Sequence, residues 1–162
     1  IYNLSEAKSI IFDHKNNGKK VVFTNGCFDI IHKGHKTYLK AARELGDFLI
    51  IGLNSDSSVR ELKGLNRPIN NQNNRAKNIL KLDFVDAVTI FGELTPKKLI
   101  HDLSPDLIVK GGDYKPEEVI GGDYVKSYGG QVVILPFVQG YSTTNIIMKR
   151  KGKDLTDGES SS

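Results

Sequence analysis

Two histidines three residues apart, His32 and His35, flank Gly34 where an apolar run gives way to a helical pattern. The run is Val21-Val22-Phe23-Thr24-Asn25-Gly26, and the chain continues Cys27-Phe28-Asp29-Ile30-Ile31-His32-Lys33-Gly34-His35. That order of residue types predicts a strand, a tight loop and a helix. A helix start offers unpaired N–H groups and the positive end of the dipole, and glycine lets a ligand come close to the backbone. Two imidazoles beside such donors make a cradle for phosphate oxygens, and they can offset negative charge that grows in a transition state. Thr24, Asn25 and Gly26 stand ready to hold phosphate through backbone donors, with Phe28 in the same loop. Asp29 reads either as a carboxylate orienting a ring nitrogen, a lysine or hydrated Mg²⁺, or as a turn or helix cap. This stretch points to a nucleotide-handling enzyme.

Other polar residues belong to the same chemistry. Lys63, Arg67 and Arg75 surround a polar loop over 63–74. Three cations without a matching cluster of acids suggest phosphates clamped on closure. Lys110 closes an apolar run, where a lysine is better placed for substrate than for packing. Gly112 and Asp113 follow it, and Asp113 is expected near the nucleotide or a metal hydration shell. Ser142, Thr143 and Thr144 are each ordinary helix caps. Together they offer hydroxyls and amides to triphosphate oxygens. Cys27 has no His–Asn/Asp relay at readable spacing and reads as a small packed residue. No third soft ligand accompanies the histidines, so no protein metal site is expected. His14 and His101 read as surface or helix-end residues. Neither Gly-x-x-x-x-Gly-Lys-Ser/Thr nor Gly-x-Gly-x-x-Gly occurs, which disfavours a P-loop kinase and an ordinary dinucleotide dehydrogenase.

The elements that must position these residues alternate. A helix is expected over 1–18 with Ser5 as a cap, then a strand over 20–25 and a helix over 33–45. A strand over 48–53 and a short helix to residue 62 follow. Beyond the polar loop come a helix over 72–82, a strand over 87–91, a helix to residue 102 and a strand over 107–110. A helix over 117–128 is interrupted by Gly121-Gly122, and a fifth strand covers 131–135. The near-continuous apolar strands and the crossover helices imply a parallel sheet. The expected class is α/β, a single-domain Rossmann-like open parallel five-stranded sheet with helices on both faces. Ligands bind beyond the carboxyl ends of such strands, where strand order reverses, so the motifs should converge there.

The bulk numbers set bounds. A length of 162 residues fits one domain, and 38% hydrophobic residues suffice for a core. The 23 basic and 19 acidic residues leave +4, which suits an anionic substrate but supplies no basic stripe for nucleic acid. One cysteine excludes an internal disulfide framework and suggests a reducing compartment. There is no membrane-length apolar run and no signal-peptide pattern, so the cytoplasm is the expected location and no membrane partner is expected. The chain opens at Ile1 rather than methionine, which fits a fragment or separated domain.

Taken in order, these motifs resemble the cytidylyltransferase-type nucleotidyltransferase superfamily. Its hallmark His-x-Gly-His stands here as His32-Lys33-Gly34-His35, and its late Ser-Thr-Thr helix start as Ser142-Thr143-Thr144. The segments 24–32, 52–56, 63–69 and 105–114 further resemble the D-glycero-β-D-manno-heptose 1-phosphate adenylyltransferases, or ADP-heptose synthases. These occur alone or as the C-terminal domain of a bifunctional kinase–adenylyltransferase. The resemblance implies AMP transfer from ATP to heptose 1-phosphate by in-line attack, giving ADP-heptose for lipopolysaccharide or other surface heptose synthesis and pyrophosphate. It implies that His32 and His35 contact the ATP phosphates, that Lys63 and Arg75 clamp them, and that Ser142 to Thr144 hold the β and γ groups. It also implies Mg²⁺ carried mainly by the phosphates, and a homodimer. On this reading residues 1–19 are a lead-in, 20–148 the nucleotidyltransferase domain and 149–162 a flexible charged Gly/Ser tail. Val138-Gln139-Gly140-Tyr141 replaces the arginine-containing stretch of cytidylyl enzymes and agrees with the adenylyl branch.

Overall fold

The computed structural model describes residues 1–112 and 114–136. The first helix, α1 (Leu4–Asn16), is started by Asn3 rather than by Ser5, which lies inside it. Asn3 Oδ1 accepts from Glu6 N at 2.8 Å, and Glu6 Oε1 accepts from Asn3 N at 2.9 Å. This reciprocal capping box satisfies two amides that a lone serine could not. Then come β1 (Val21–Gly26), α2 (Lys33–Arg43), β2 (Phe48–Asn54), α3 (Asp56–Lys63) and α4 (Gln72–Leu80). They are followed by β3 (Ala87–Phe91), α5 (Lys97–Leu103) and β4 (Leu107–Gly111). A short 3₁₀ turn (Pro116–Glu118), α6 (Gly122–Ser127) and β5 (Gln131–Leu135) complete the described chain. The single helix expected over 117–128 is therefore two pieces. Gly121 sits between them at φ 83°, and a Cβ there would lie 2.8 Å from Ile100 Cδ1. Only glycine fits that left-handed turn against α5.

The five strands form one parallel sheet in the order β3-β2-β1-β4-β5. Alternate residues of each strand point to opposite faces. Val21, Phe23 and Ile50 enter one core layer with Ala7, Ile11, Ile100, Leu103 and Val125, under α1, α5 and α6. Val22, Leu49 and Ile51 enter the other with Leu39, Ala42, Ala76 and Ile79, under α2 and α4. The chain first builds outward from β1 to β3, with its crossovers on one face. Helix α5 then carries it across the opposite face to β4, on the other side of β1. The order reverses between β1 and β4, which makes that seam the place for a ligand. Pairing there is short. β1 and β2 pair from Val21↔Phe48 to Gly26↔Leu53, whereas β1 and β4 pair only at Val22↔Leu107 and Phe23↔Ile108. No described helix is long and apolar enough to cross a membrane.

Candidate active site

His32 is the N-cap of α2 and His35 its third helical residue. His32 Nδ1 accepts from Gly34 N at 3.1 Å and His35 N at 3.4 Å, while His35 Nδ1 accepts from His32 N at 3.3 Å. The His-x-Gly-His motif is thus a capping box in which imidazoles replace the usual hydroxyl and carboxylate. The rings stack with centroids 3.8 Å apart at 18°. An Nδ1 that accepts from an amide carries no hydrogen, so both rings are neutral with Nε2–H as their donor. Burial lowers the pKa of His32. Burial, with His32 and the Lys63 ammonium adding to it and the Ile30 backbone opposing it, takes His35 down to about 3. The pair consequently donates hydrogen bonds at neutral pH without bringing positive charge. The Gly34 and His35 amides, expected as free phosphate donors, are occupied by the His32 ring.

Phe28 supports this pair from beneath. It is 3% exposed, its ring meets His35 edge-on at 5.3 Å, and it packs over Gly26, where a Cβ would lie 2.8 Å from the ring. Its side chain is a floor for the histidines rather than a surface open to a nucleotide. Thr24 is 1% exposed with its hydroxyl 2.5 Å from the Tyr38 hydroxyl, so it too is turned inward. Asn25 and Gly26 end β1 beside it, with Asn25 half-buried and Gly26 buried.

The ionic residues around the polar loop are arranged differently from the expectation. Asp29 is buried, and its carboxylate accepts from Arg67 Nε at 3.0 Å, Ile69 N at 2.7 Å and Asn70 N at 2.8 Å. Burial pushes its pKa up, but the Ile69 and Asn70 amides and the Arg67 guanidinium outweigh that and hold it below the usual carboxylate range. With both oxygens committed, Asp29 pins the loop and is not available to orient a substrate or a hydrated metal. Arg75 is 0% exposed. Its Nε donates to Asn70 O at 2.9 Å, its Nη1 to Cys27 O at 2.8 Å and Asn54 O at 2.9 Å, and its Nη2 to Asp56 Oδ1 at 2.9 Å. Arg75 is therefore a buried tie between the loop after β1, the end of β2 and the polar loop, not a phosphate clamp. The acids that the sequence seemed to lack are Asp29 and Asp56.

Two cations remain. Lys63 ends α3, is exposed, and has no carboxylate partner among the described residues; it lies near enough to depress His35. Lys110, near the end of β4, has its Nζ 5.4 Å from the Tyr114 ring centre. Burial lowers its pKa, opposed by the Cys27 thiol nearby. Gly112 continues from β4 at φ 107° and donates to Leu135 O at 3.0 Å. Cys27 is buried with Sγ 3.8 Å from Asn54 Oδ1, and burial raises its pKa, so it is a packed thiol and not a nucleophile. His14 packs at a tilt against Phe48 and His101 stacks on Tyr124, away from this edge. Among the described residues no three His, Cys, Asp or Glu side chains gather as a metal site. Asp113, Ser142, Thr143 and Thr144 lie outside the described residues, as does the tail over 149–162.

The fold thus gathers His32, His35, Lys63, Lys110, Asn25 and Gly26 along the carboxyl edge of a parallel sheet, beside the point where strand order reverses. Residues 23–149 match the cytidylyltransferase-like family, and the chain belongs to that family of nucleotidyltransferases. The bifunctional protein HldE of Geotalea uraniireducens is 54% identical over 149 residues, 92% of this chain and 30% of that protein. The bifunctional protein HldE of Campylobacter fetus subsp. fetus is 55% identical over 135 residues, covering 83% of this chain and 29% of its own length. This chain therefore spans roughly a third of the curated relatives it matches. A lipopolysaccharide core biosynthesis protein from Thermoplasma volcanium superposes with a TM-score of 0.62 at 32% identity, over 75% of this chain and 98% of its own. A pantoate-β-alanine ligase from Francisella tularensis shares the fold alone, at a TM-score of 0.57 and 18% identity.

Proposed function

We propose that this chain transfers AMP from ATP to D-glycero-β-D-manno-heptose 1-phosphate, giving ADP-heptose and pyrophosphate. The observation that carries the reading is the stacked, neutral His32–His35 pair at the reversal point. The identity to proteins named bifunctional HldE and the ordered motifs over 24–32, 52–56, 63–69 and 105–114 support the sugar-phosphate acceptor. A sugar phosphate is already ionised near neutral pH, so its oxygen attacks the α-phosphorus directly and needs no general base. That suits histidines that keep no basic Nε2 lone pair. Their Nε2–H groups donate to phosphate oxygens as charge builds, and Lys63 at the end of α3 and Lys110 near the end of β4 add positive charge. Asn25 and Gly26 line the base of the cleft, and Gly34 keeps the backbone beside the rings open.

Mg²⁺ arrives with the triphosphate and screens its charge; the committed carboxylate of Asp29 adds no ligand. By the motifs they belong to, Asp113 is assigned to the nucleotide and Ser142, Thr143 and Thr144 to the β- and γ-phosphates. The enzyme works in the cytoplasm, as a homodimer, without nucleic acid or membrane as partner. The test is pyrophosphate release with purified chain, Mg²⁺, each nucleoside triphosphate and a panel of phosphorylated acceptors. The expected result is turnover with ATP and heptose 1-phosphate well above all other pairs. A strong preference for CTP, or for glycerol 3-phosphate over the heptose, would overturn it.

A further inference from the structure

The β1–β4 seam is short although neither strand is. β1 stays paired with β2 as far as Gly26↔Leu53, and β4 stays paired with β5 as far as Gly111↔Leu135. The two strands part after Phe23↔Ile108 while each keeps its other neighbour. At the next register position, Thr24 opposite Val109, a side chain from α2 stands between them. The Tyr38 hydroxyl is 2.5 Å from Thr24 Oγ1 and donates to Val109 O at 2.9 Å. A carbonyl only accepts, so the phenolic hydrogen belongs to Val109 and Thr24 must be the donor to Tyr38. Tyr38 also lies one helical turn beyond His35, on the same face of α2.

We propose that Tyr38 is a positioning residue whose hydroxyl, lodged between Thr24 and Val109, ends the β1–β4 ladder and fixes α2 and its histidines against a cleft held open for the nucleotide. The side-chain bridge spans a gap that a direct N–H···O bond would otherwise close. Beyond it lie Asn25-Gly26 on one bank and Lys110-Gly111-Gly112 on the other. The tie has a direction, Thr24 to Tyr38 to Val109, so removal of one hydroxyl frees both strands and the helix together. This role rests on the nucleotidyltransferase reading for its ligand but not for its geometry.

The test substitutes Tyr38→Phe in the full chain, which keeps the ring and removes only the hydroxyl. Binding of an unreactive ATP analogue is measured by calorimetry well below the melting temperature of each protein, with amide hydrogen exchange followed in parallel. The expected result is about tenfold weaker analogue binding, the size of one lost net hydrogen bond. Exchange should become faster at residues 25–26 and 110–111, with much smaller change at Ile51 and Val88 in the distant β2–β3 pair. If the variant melts lower but binds the analogue within about twofold of wild type, Tyr38 is only a packed, satisfied phenol and the proposal fails. If Tyr38→Phe does not fold, Thr24→Val removes the donor while leaving the Tyr38–Val109 bond. A few-fold weaker affinity then supports the proposal, and an unchanged one overturns it. Should wild type bind no nucleotide, the function falls by itself, and the exchange data decide the role of Tyr38. Local acceleration upholds it, and uniform change in step with global stability overturns it.

Discussion

Replacing Arg75 with methionine tests whether this residue is a structural tie. Methionine keeps an unbranched stem like that of arginine but is shorter and donates nothing. Three carbonyls, Cys27 O, Asn54 O and Asn70 O, lose their guanidinium donors at a position where the arginine is 0% exposed. Each buried acceptor left unmatched costs about 1–3 kcal/mol. Asp56 matters less, because its side chain is 30% exposed and water can replace the lost partner. Allowing some rearrangement, the loss should be about 4 kcal/mol, within the range of about 3–5 kcal/mol for removing one partner from a buried pair. Against a total of about 5–15 kcal/mol for a domain, this is a large fraction. Urea unfolding reads it directly: with an m-value of about 2 kcal/mol/M, the midpoint should fall by about 2 M. Asp56→Asn should cost less than about 1 kcal/mol. An Arg75→Met loss below about 1 kcal/mol would refute the reasoning. So would an Asp56→Asn loss as large as that of Arg75→Met, since the ion pair rather than the carbonyls would then carry the stability.

Two further predictions concern His35. His35→Ala should lower turnover about a hundredfold or more, the scale for losing one transition-state donor, with the far-ultraviolet spectrum unchanged; wild-type rates from a folded variant would contradict the role. The folded His35 pKa is about 3, whereas the unfolded chain takes up that proton near pH 6.5. Its contribution to stability is therefore complete above about pH 6.5 and is lost as the pH falls towards 3, at up to about 1.4 kcal/mol per pH unit for one proton. Urea melts of wild type and His35→Asn at pH 7 and pH 5 should show the steeper loss in wild type, and equal slopes would disprove it.

Much of this was readable in the amino-acid order. The apolar runs at Ala87–Phe91 and Gln131–Leu135 have the expected bounds; the first is buried at nearly every position, and the second, a half-exposed edge strand, is delimited by Gly129-Gly130 before it and Pro136 after it. The His-x-Gly-His segment was readable as a helix start, since its spacing is that of a capping box even though its chemistry is not. What could not be read was pairing at a distance. Asp29 meets Arg67 and Asp56 meets Arg75 across loops, with no periodicity linking them. Counted locally, the arginines looked unopposed and available to phosphate. On sequence alone Tyr38 is one more large residue within the helical pattern over 33–45. Its role depends on two strands parting at one register position, and no single stretch of sequence encodes that.

The strand order also sets an order of events during synthesis. β1 pairs with β2, and β2 with β3, through connections that close within the first 91 residues, so one side of the sheet can assemble early. Its other edge, Val21-Val22-Phe23, stays uncovered until β4, some eighty residues later, leaves the ribosome. In that interval the central strand of the sheet presents an open row of amides and carbonyls. The nascent chain is at its stickiest just before the half that finishes the sheet arrives.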